Sequence, residues 1–313
     1  MLKIILFISG GVFPIFSLSL LPTLFHTIIE KNYLFSFQLI IYISVLLLLH
    51  LIIKKYILPS RQLNTIQGFG AVGMSWFLIS IYASIPYLIS GINLTYIDIL
   101  FETISGLTTT GSSILTDIEN VDKSLLIWRS TTQWLGGMGI IVLTITILPL
   151  LGSGGINLFK AESPGPSADR LTPRFQDTAR LLWVIYISLT ILETILLYFS
   201  GLSFYDSFNH AFTTLSTGGF STFNSSVSEF STITIFIINI FMFLAGSSFI
   251  LLLKVLKNKN LNELFKSSEF KFYTFIVFST ATIFLLKTIS YSENIVLAIN
   301  NALFTPLTLI TTT

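Results

Sequence analysis

The sequence predicts an all-α polytopic membrane protein, and three observations carry that expectation. Of 313 residues, 52% are hydrophobic and only 10% charged, where an ordinary soluble domain carries about 25% charged residues. Mean hydropathy is +0.82. Apolar runs of about twenty residues, the length a helix needs to cross roughly 30 Å of hydrocarbon, recur along the chain. Too few polar side chains remain to coat a water-facing surface, which excludes a soluble enzyme or a DNA-binding protein. The net charge of +2 gives no ground for a nucleic-acid partner. Without cysteine there are no thiolate metal sites, disulfides or cysteine nucleophiles. His26, His50 and His210 share no metal-ligand spacing.

Seven stretches qualify as spans: about 4–25, 34–53, 69–90, 125–151, 181–200, 230–253 and 270–289. The first follows Lys3 as a signal peptide would. It lacks a small-residue cleavage site and a second apolar run follows at once, so it reads as a retained helix. Three further apolar segments, 96–107, 204–215 and 295–310, are too short to cross, and each leads into a Thr/Ser-rich run. They read as re-entrant half-helices, which a membrane tolerates only where protein buries them or they line a watery cavity. Loops then alternate between sides. Thirteen Lys and Arg fall on one side, and only Lys31, Lys123, Arg129 and Lys287 on the other. By the positive-inside rule the richer side is cytoplasmic and the N-terminus lies inside. The outer side, where Glu102 falls among ten Asp and Glu, is net acidic, which raises local cation concentration.

The short segments repeat. Phe101 precedes Thr110 by nine residues, as Phe208 precedes Thr217 and Phe304 precedes Thr313, at spacings of 107 and then 96 residues. The predicted organisation is two N-terminal helices over 1–60, a span–half-helix–span unit over 61–155, a second over 156–260, and an incomplete third over 261–313, around a central cation pore. Discontinuous helices within internal repeats mark substrate sites in transporters. A cation entering the membrane exchanges its water shell for other oxygens, and backbone carbonyls supply them without net charge. Glycine permits the dihedrals such a turn requires. A half-helix carboxyl end adds negative dipole charge. The candidate filter residues are therefore Thr109, Thr110, Gly111, Ser216, Thr217, Gly218, Gly219, Thr312 and Thr313, with the cation expected at Thr110, Gly111, Thr217 and Gly218.

Other residues carry smaller expectations. Gly136, Gly137 and Gly139 read as close helix packing. Gly152, Gly154, Gly155 and Lys160 lack the GK[ST] signature, so no nucleotide site is expected on this chain. Glu193 and Lys287 read as interfacial charges snorkelling outward, with a functional role as the alternative. Arg129 and Gln133, one turn apart, are placed to buttress the first pore loop from behind. His210 reads as a packing or hydrogen-bonding residue, and Trp128, Trp134 and Trp183 as interface anchors. Scattered histidines argue against an intramembrane hydrolase, so no enzymatic activity is expected.

The stretch from Phe101 to Pro166, with LTTTGSSILTDIE, WRSTTQWLGGMGIIVLTITILPLLGSGG and LFKAESPGP, resembles the potassium-translocating membrane subunit of the Trk/Ktr family. LSTGGFSTFNSS resembles that family's second filter segment. The resemblance implies four span–pore-loop–span units around one pore, potassium as the transported ion and no covalently bound cofactor. It further implies a homodimer in the bacterial inner membrane, and a cytoplasmic nucleotide-binding regulatory subunit that Lys160, Arg170, Arg174 and Arg180 would meet. Against that pattern the chain stops one residue before the expected third glycine. It therefore reads as truncated, lacking the third return span and the fourth unit, and the alternative expectation is a non-conducting fragment with at most a structural or interaction role.

Overall fold

The computed structural model describes residues 2–57, 65–151, 175–288 and 295–313. Every regular element among them is an α-helix. In chain order these are α1 (Leu2–Ser19), α2 (Leu21–Ile29), α3 (Tyr33–Tyr56), α4 (Thr65–Ile89), α5 (Tyr96–Leu107), α6 (Lys123–Leu151) and α7 (Phe175–Phe199). There follow α8 (Phe204–Leu215), α9 (Thr232–Ala245), α10 (Phe249–Asn258), α11 (Asn262–Lys266), α12 (Ser268–Thr288) and α13 (Ile295–Thr311). Lys3–Ile29, Tyr33–Tyr56, Gly70–Ile89, Thr178–Phe199 and Ser268–Lys287 are each long and apolar enough to cross a membrane. Large apolar side chains stay exposed along these helices, Phe37 and Leu48 on α3 and Phe272 and Phe275 on α12 among them. Such faces suit hydrocarbon rather than water.

The chain forms two compact units, Met1–Leu107 with Ser112–Ser163, and Thr108–Gly111 with Pro164–Thr313. In the first, α1 packs between α3, α4 and α6, and α5 packs on α4 and α6. Phe13 meets Tyr82 edge-on at 4.8 Å. Tyr42 donates its hydroxyl to the Tyr82 carbonyl at 2.6 Å, and His50 Nδ1 donates to the Gly10 carbonyl at 2.8 Å. In a segment that can hold no water, each satisfies a polar group inside the bundle. Trp128 is 0% exposed and donates Nε1–H to the Ala83 carbonyl at 2.9 Å. The sequence expectation of an interface anchor fails there, because the indole finds its acceptor on α4 and has no need of the headgroup region.

The second unit centres on Leu197, Ala211, Ile238, Met242, Val277 and Leu307, contributed by α7, α8, α9, α12 and α13. Asn239 and Asn300 bolt α9 to α13: Asn239 Nδ2 donates to the Asn300 carbonyl at 3.2 Å, and Asn300 Nδ2 to the Thr232 carbonyl at 2.7 Å. The expected single span over 230–253 is instead a broken one. Helices α9 and α10 meet at 93° across Gly246–Ser248. A Cβ on Gly246 would stand 2.5 Å from Thr311 Cγ2 and 2.6 Å from the Tyr273 hydroxyl, so glycine lets the chain turn against α12 and α13. The continuous apolar run hides this bend in the sequence.

Candidate functional site

Two half-helices begin on the same cap. Thr95 Oγ1 accepts from the Asp98 amide at 3.3 Å and donates to the Asp98 carboxylate at 2.7 Å. Ser203 Oγ accepts from the Asp206 amide at 3.0 Å and donates to the Asp206 carboxylate at 2.6 Å. Each pair satisfies an orphan amide of a helix start, and the carboxylate complements the positive helix end. Twelve residues on, α5 and α8 both stop at a leucine, and a Thr/Gly turn follows.

The turns share one backbone. Thr109, Thr217 and Thr312 have φ of 53°, 53° and 61°. Gly111 and Gly219 have φ of 77° and 76°. Thr110 and Gly218, each between two positive-φ residues, do not share that sign. Behind Thr217, the Thr217 amide reaches the Thr214 carbonyl and the Gly218 amide the Thr213 carbonyl, both at 2.9 Å. That is the helix-ending motif in which a left-handed residue, usually glycine, follows the cap. Thr313 repeats the longer bond, to the Thr308 carbonyl at 3.1 Å. A β-branched residue in the left-handed region is an outlier that costs roughly 1–2 kcal/mol. Three threonines at one structural position point to a use for the hydroxyl or the strain.

This backbone corrects the repeat register. Phenylalanine anchors pair Thr110 with Thr217 at 107 residues, whereas φ pairs Thr109 with Thr217 and Gly111 with Gly219 at 108. Gly218 then stands where the first copy has Thr110. The third copy keeps its register against the first, and Thr313 stands at the Thr110 position. The hydroxyls agree: Thr108 Oγ1 lies 2.7 Å from Thr110 Oγ1, and Thr311 Oγ1 lies 2.7 Å from Thr313 Oγ1. In the second copy Gly218 has no hydroxyl, and Ser216 Oγ donates to the Thr213 carbonyl at 3.1 Å.

All the expected filter residues, Thr109, Thr110, Gly111, Ser216, Thr217, Gly218, Gly219, Thr312 and Thr313, fall in the second unit. A Cβ on Gly219 would stand 2.5 Å from the Thr313 carbonyl carbon, so the second and third turns touch through their backbones.

Sequence reasoning missed the carboxylate behind the first turn. Glu102, counted by sequence among the outer charges, is 0% exposed, and Arg129 is 2% exposed. Arg129 Nε donates to Glu102 Oε1 at 2.6 Å. The expectation that Arg129 buttresses the first pore loop gains its partner here. Gly136 meets the Leu107 carbonyl directly, and a Cβ on Gly139 would stand 2.5 Å from the Trp76 ring. That fits the close packing expected of Gly136 and Gly139, whereas Gly137 is exposed. His210 stacks on Phe223 at 6.4 Å and meets Phe230 edge-on at 5.0 Å. Its Nε2 makes no hydrogen bond. Glu193 overturns the snorkelling expectation. It is 0% exposed, with the Thr214 hydroxyl of α8 beside it but not in hydrogen-bond geometry. Lys287 is exposed, and Lys160, Arg170 and Arg174 lie outside the described residues.

The TrkH family, described as a cation transport protein, matches residues 36–311. The Trk system potassium uptake protein TrkH of Escherichia coli K12 is 36% identical over 258 residues, 80% of this chain and 53% of that protein. TrkH of Halomonas elongata is 34% identical over 277 residues, 87% of this chain and 57% of that protein. The crystal structure of the potassium transporter TrkH from Vibrio parahaemolyticus superposes with a TM-score of 0.83 at 28% identity, covering 99% of this chain and 64% of that one. The chain thus spans about half the length of the curated relatives it matches. With matched residues across most of its length, relatives above 30% identity and the same helical architecture, the chain belongs to the TrkH family of cation transport proteins.

Proposed function

We propose that this chain forms part of a potassium uptake pathway in which the ion sheds water against the turns at Thr109–Gly111, Thr217–Gly219 and Thr312–Thr313. The observation that carries the reading is the recurrence of one strained backbone, with threonine at positive φ in all three copies and glycine at nearly equal φ in two. Strain at a repeated position persists only where the surroundings hold it, and it clusters at ligand clamps. Oxygens in such a turn, from backbone and Thr hydroxyls, suit a weakly hydrated monovalent cation passing between neutral ligands. The named relatives are potassium uptake proteins, which supports potassium as cargo and argues against enzymatic chemistry.

The finer reading places the N-terminus on the cytoplasmic side of a bacterial inner membrane, from the distribution of Lys and Arg. It includes a homodimer and a nucleotide-binding cytoplasmic regulator, the second meeting the basic loop that holds Lys160, Arg170 and Arg174 together with Arg180. Charge reversal of those four residues is expected to abolish co-purification with the regulator without changing membrane insertion. The test of the central reading is radioactive-rubidium binding to the purified chain, competed with potassium and with sodium. Potassium should displace rubidium at concentrations where sodium does not, and Gly111→Ala should erase the difference. Equal displacement by both ions in the unmodified chain refutes the assignment.

A further inference from the structure

The first turn is anchored by a buried carboxylate at the middle of its half-helix. Glu102 sits in mid-α5, and its carboxylate is filled from three directions. Oε1 accepts Arg129 Nε at 2.6 Å and Ser113 Oγ at 3.0 Å; Oε2 accepts the Ile114 amide at 2.9 Å and Ser113 Oγ at 3.2 Å. Three donors thus meet an ionised carboxylate that has about four lone-pair sites, the single Ser113 hydroxyl lying between its two oxygens. Ser105 Oγ adds a bond to the Ser112 carbonyl at 2.6 Å. Together these bonds fasten Ser112–Ile114, the chain leaving the Thr108–Gly111 turn, to the helix entering it.

At the corresponding place in the second copy stands His210, 108 residues on. The local turn is otherwise the same: Leu115 N donates to Ser113 Oγ at 3.1 Å, and Phe223 N donates to Ser221 Oγ at 3.0 Å. There Ser221 Oγ turns to the Ser226 carbonyl at 3.3 Å and His210 lies among phenyl rings, while the exit chain is held from the start of α8, where Thr222 Oγ1 donates to Asp206 Oδ1 at 2.7 Å. In the third copy the place falls to Thr305, whose hydroxyl bonds its own helix at Asn301. Burying an ion pair is costly and rarely the best way to hold two helices together. What the carboxylate alone provides is acceptors for an amide and a hydroxyl three and two residues beyond Gly111.

We infer that Glu102 is a positioning residue for ion selectivity: it fixes the exit strand of the first turn, and Arg129 neutralises it there. This rests on the filter reading above and extends it. Fixed ligand geometry, held by a rigid supporting shell, is what lets a site discriminate between similar ions.

The test separates positioning from mere stability, with rubidium binding and the yield of monodisperse protein measured on the whole chain. The charge swap Glu102→Arg with Arg129→Glu restores an ion pair, but a guanidinium has no acceptor for Ile114 N–H. Yield should recover relative to Glu102→Ala, while the potassium-over-sodium preference falls at least about tenfold. Ser113→Ala, which leaves the ion pair whole, should lower the preference about threefold at full yield. A swap or a Ser113→Ala protein that keeps the original preference overturns the inference. Gly111→Ala is the reference. If it alone loses the preference, the filter reading stands and this inference fails. If it too binds like the unmodified chain, the filter reading fails and takes this inference with it.

Discussion

Replacing Gly219 by alanine tests the contact between the second and third turns. The added Cβ would sit 2.5 Å from the Thr313 carbonyl carbon, 3.2 Å from its oxygen and 3.5 Å from its Cα. These are backbone atoms, not the far end of a flexible side chain. Residue 219 also has φ of 76°, where a Cβ is penalised by roughly 1–2 kcal/mol. Overpacking adds about 1–3 kcal/mol, and lost unfolded-state freedom returns about 0.4–1 kcal/mol. The net is about 1–4.6 kcal/mol, equivalent to roughly 5- to 2,000-fold against the native turn. Gly91 supplies the control, since it has φ of 75° and nothing within 4 Å of its Cβ position. Stability against denaturant and rubidium binding should both fall strongly in Gly219→Ala, whereas Gly91→Ala should cost only the left-handed penalty of roughly 1–2 kcal/mol and leave rubidium binding unchanged. Equal effects of the two substitutions would show that the turns do not meet, and the reasoning would fall.

Arg129→Ala leaves the Glu102 carboxylate buried without its cation and should cost about 3–5 kcal/mol in unfolding; a loss under about 1 kcal/mol would contradict the ion pair. Trp128→Phe removes the indole bond to the Ala83 carbonyl and should cost about 0.5–1.5 kcal/mol by the same measurement, with a neutral result arguing for an interfacial indole. Thr217→Gly removes the left-handed penalty, so its melting temperature should not fall, while rubidium binding weakens; unchanged binding would leave that threonine without a role. The natural chain has no cysteine, so single cysteines report cleanly on topology. Lys31 precedes, and Lys55 lies in the last turn of, a helix about 36 Å long, and cysteines there should label from outside only and inside only, respectively. Labelling of both from one side would refute the topology.

The half-helices were legible because composition, length and caps all act locally. The apolar segments 96–107 and 204–215 have the bounds of α5 and α8, and 295–310 differs from α13 by one residue. Arg129 at the start of a span could be placed behind the pore loop from sequence spacing alone. Its partner could not, because Glu102 reads as one more outer charge until folding brings residues 27 apart in sequence to 2.6 Å. The one-residue slip of the second copy has a local cause. Phe101 and Phe208 are a conspicuous match, but the capping pairs Thr95–Asp98 and Ser203–Asp206 carry the true 108-residue register. The bend at Gly246 was hidden for the opposite reason. The apolar run continues through it, and only the crowding of Tyr273 and Thr311 against Gly246 shows why the chain turns. Glu193 is the same lesson, since exposure depends on which neighbour covers a helix face.

The central claim, that a potassium-like ion is held at the repeated turns, is tested most directly by anomalous diffraction from crystals of this chain grown in rubidium. The account predicts anomalous density beside Thr109–Gly111, Thr217–Gly219 and Thr312–Thr313, vanishing when rubidium is exchanged for sodium. Density elsewhere, for instance at the buried Glu193, with none at the three turns, would contradict it.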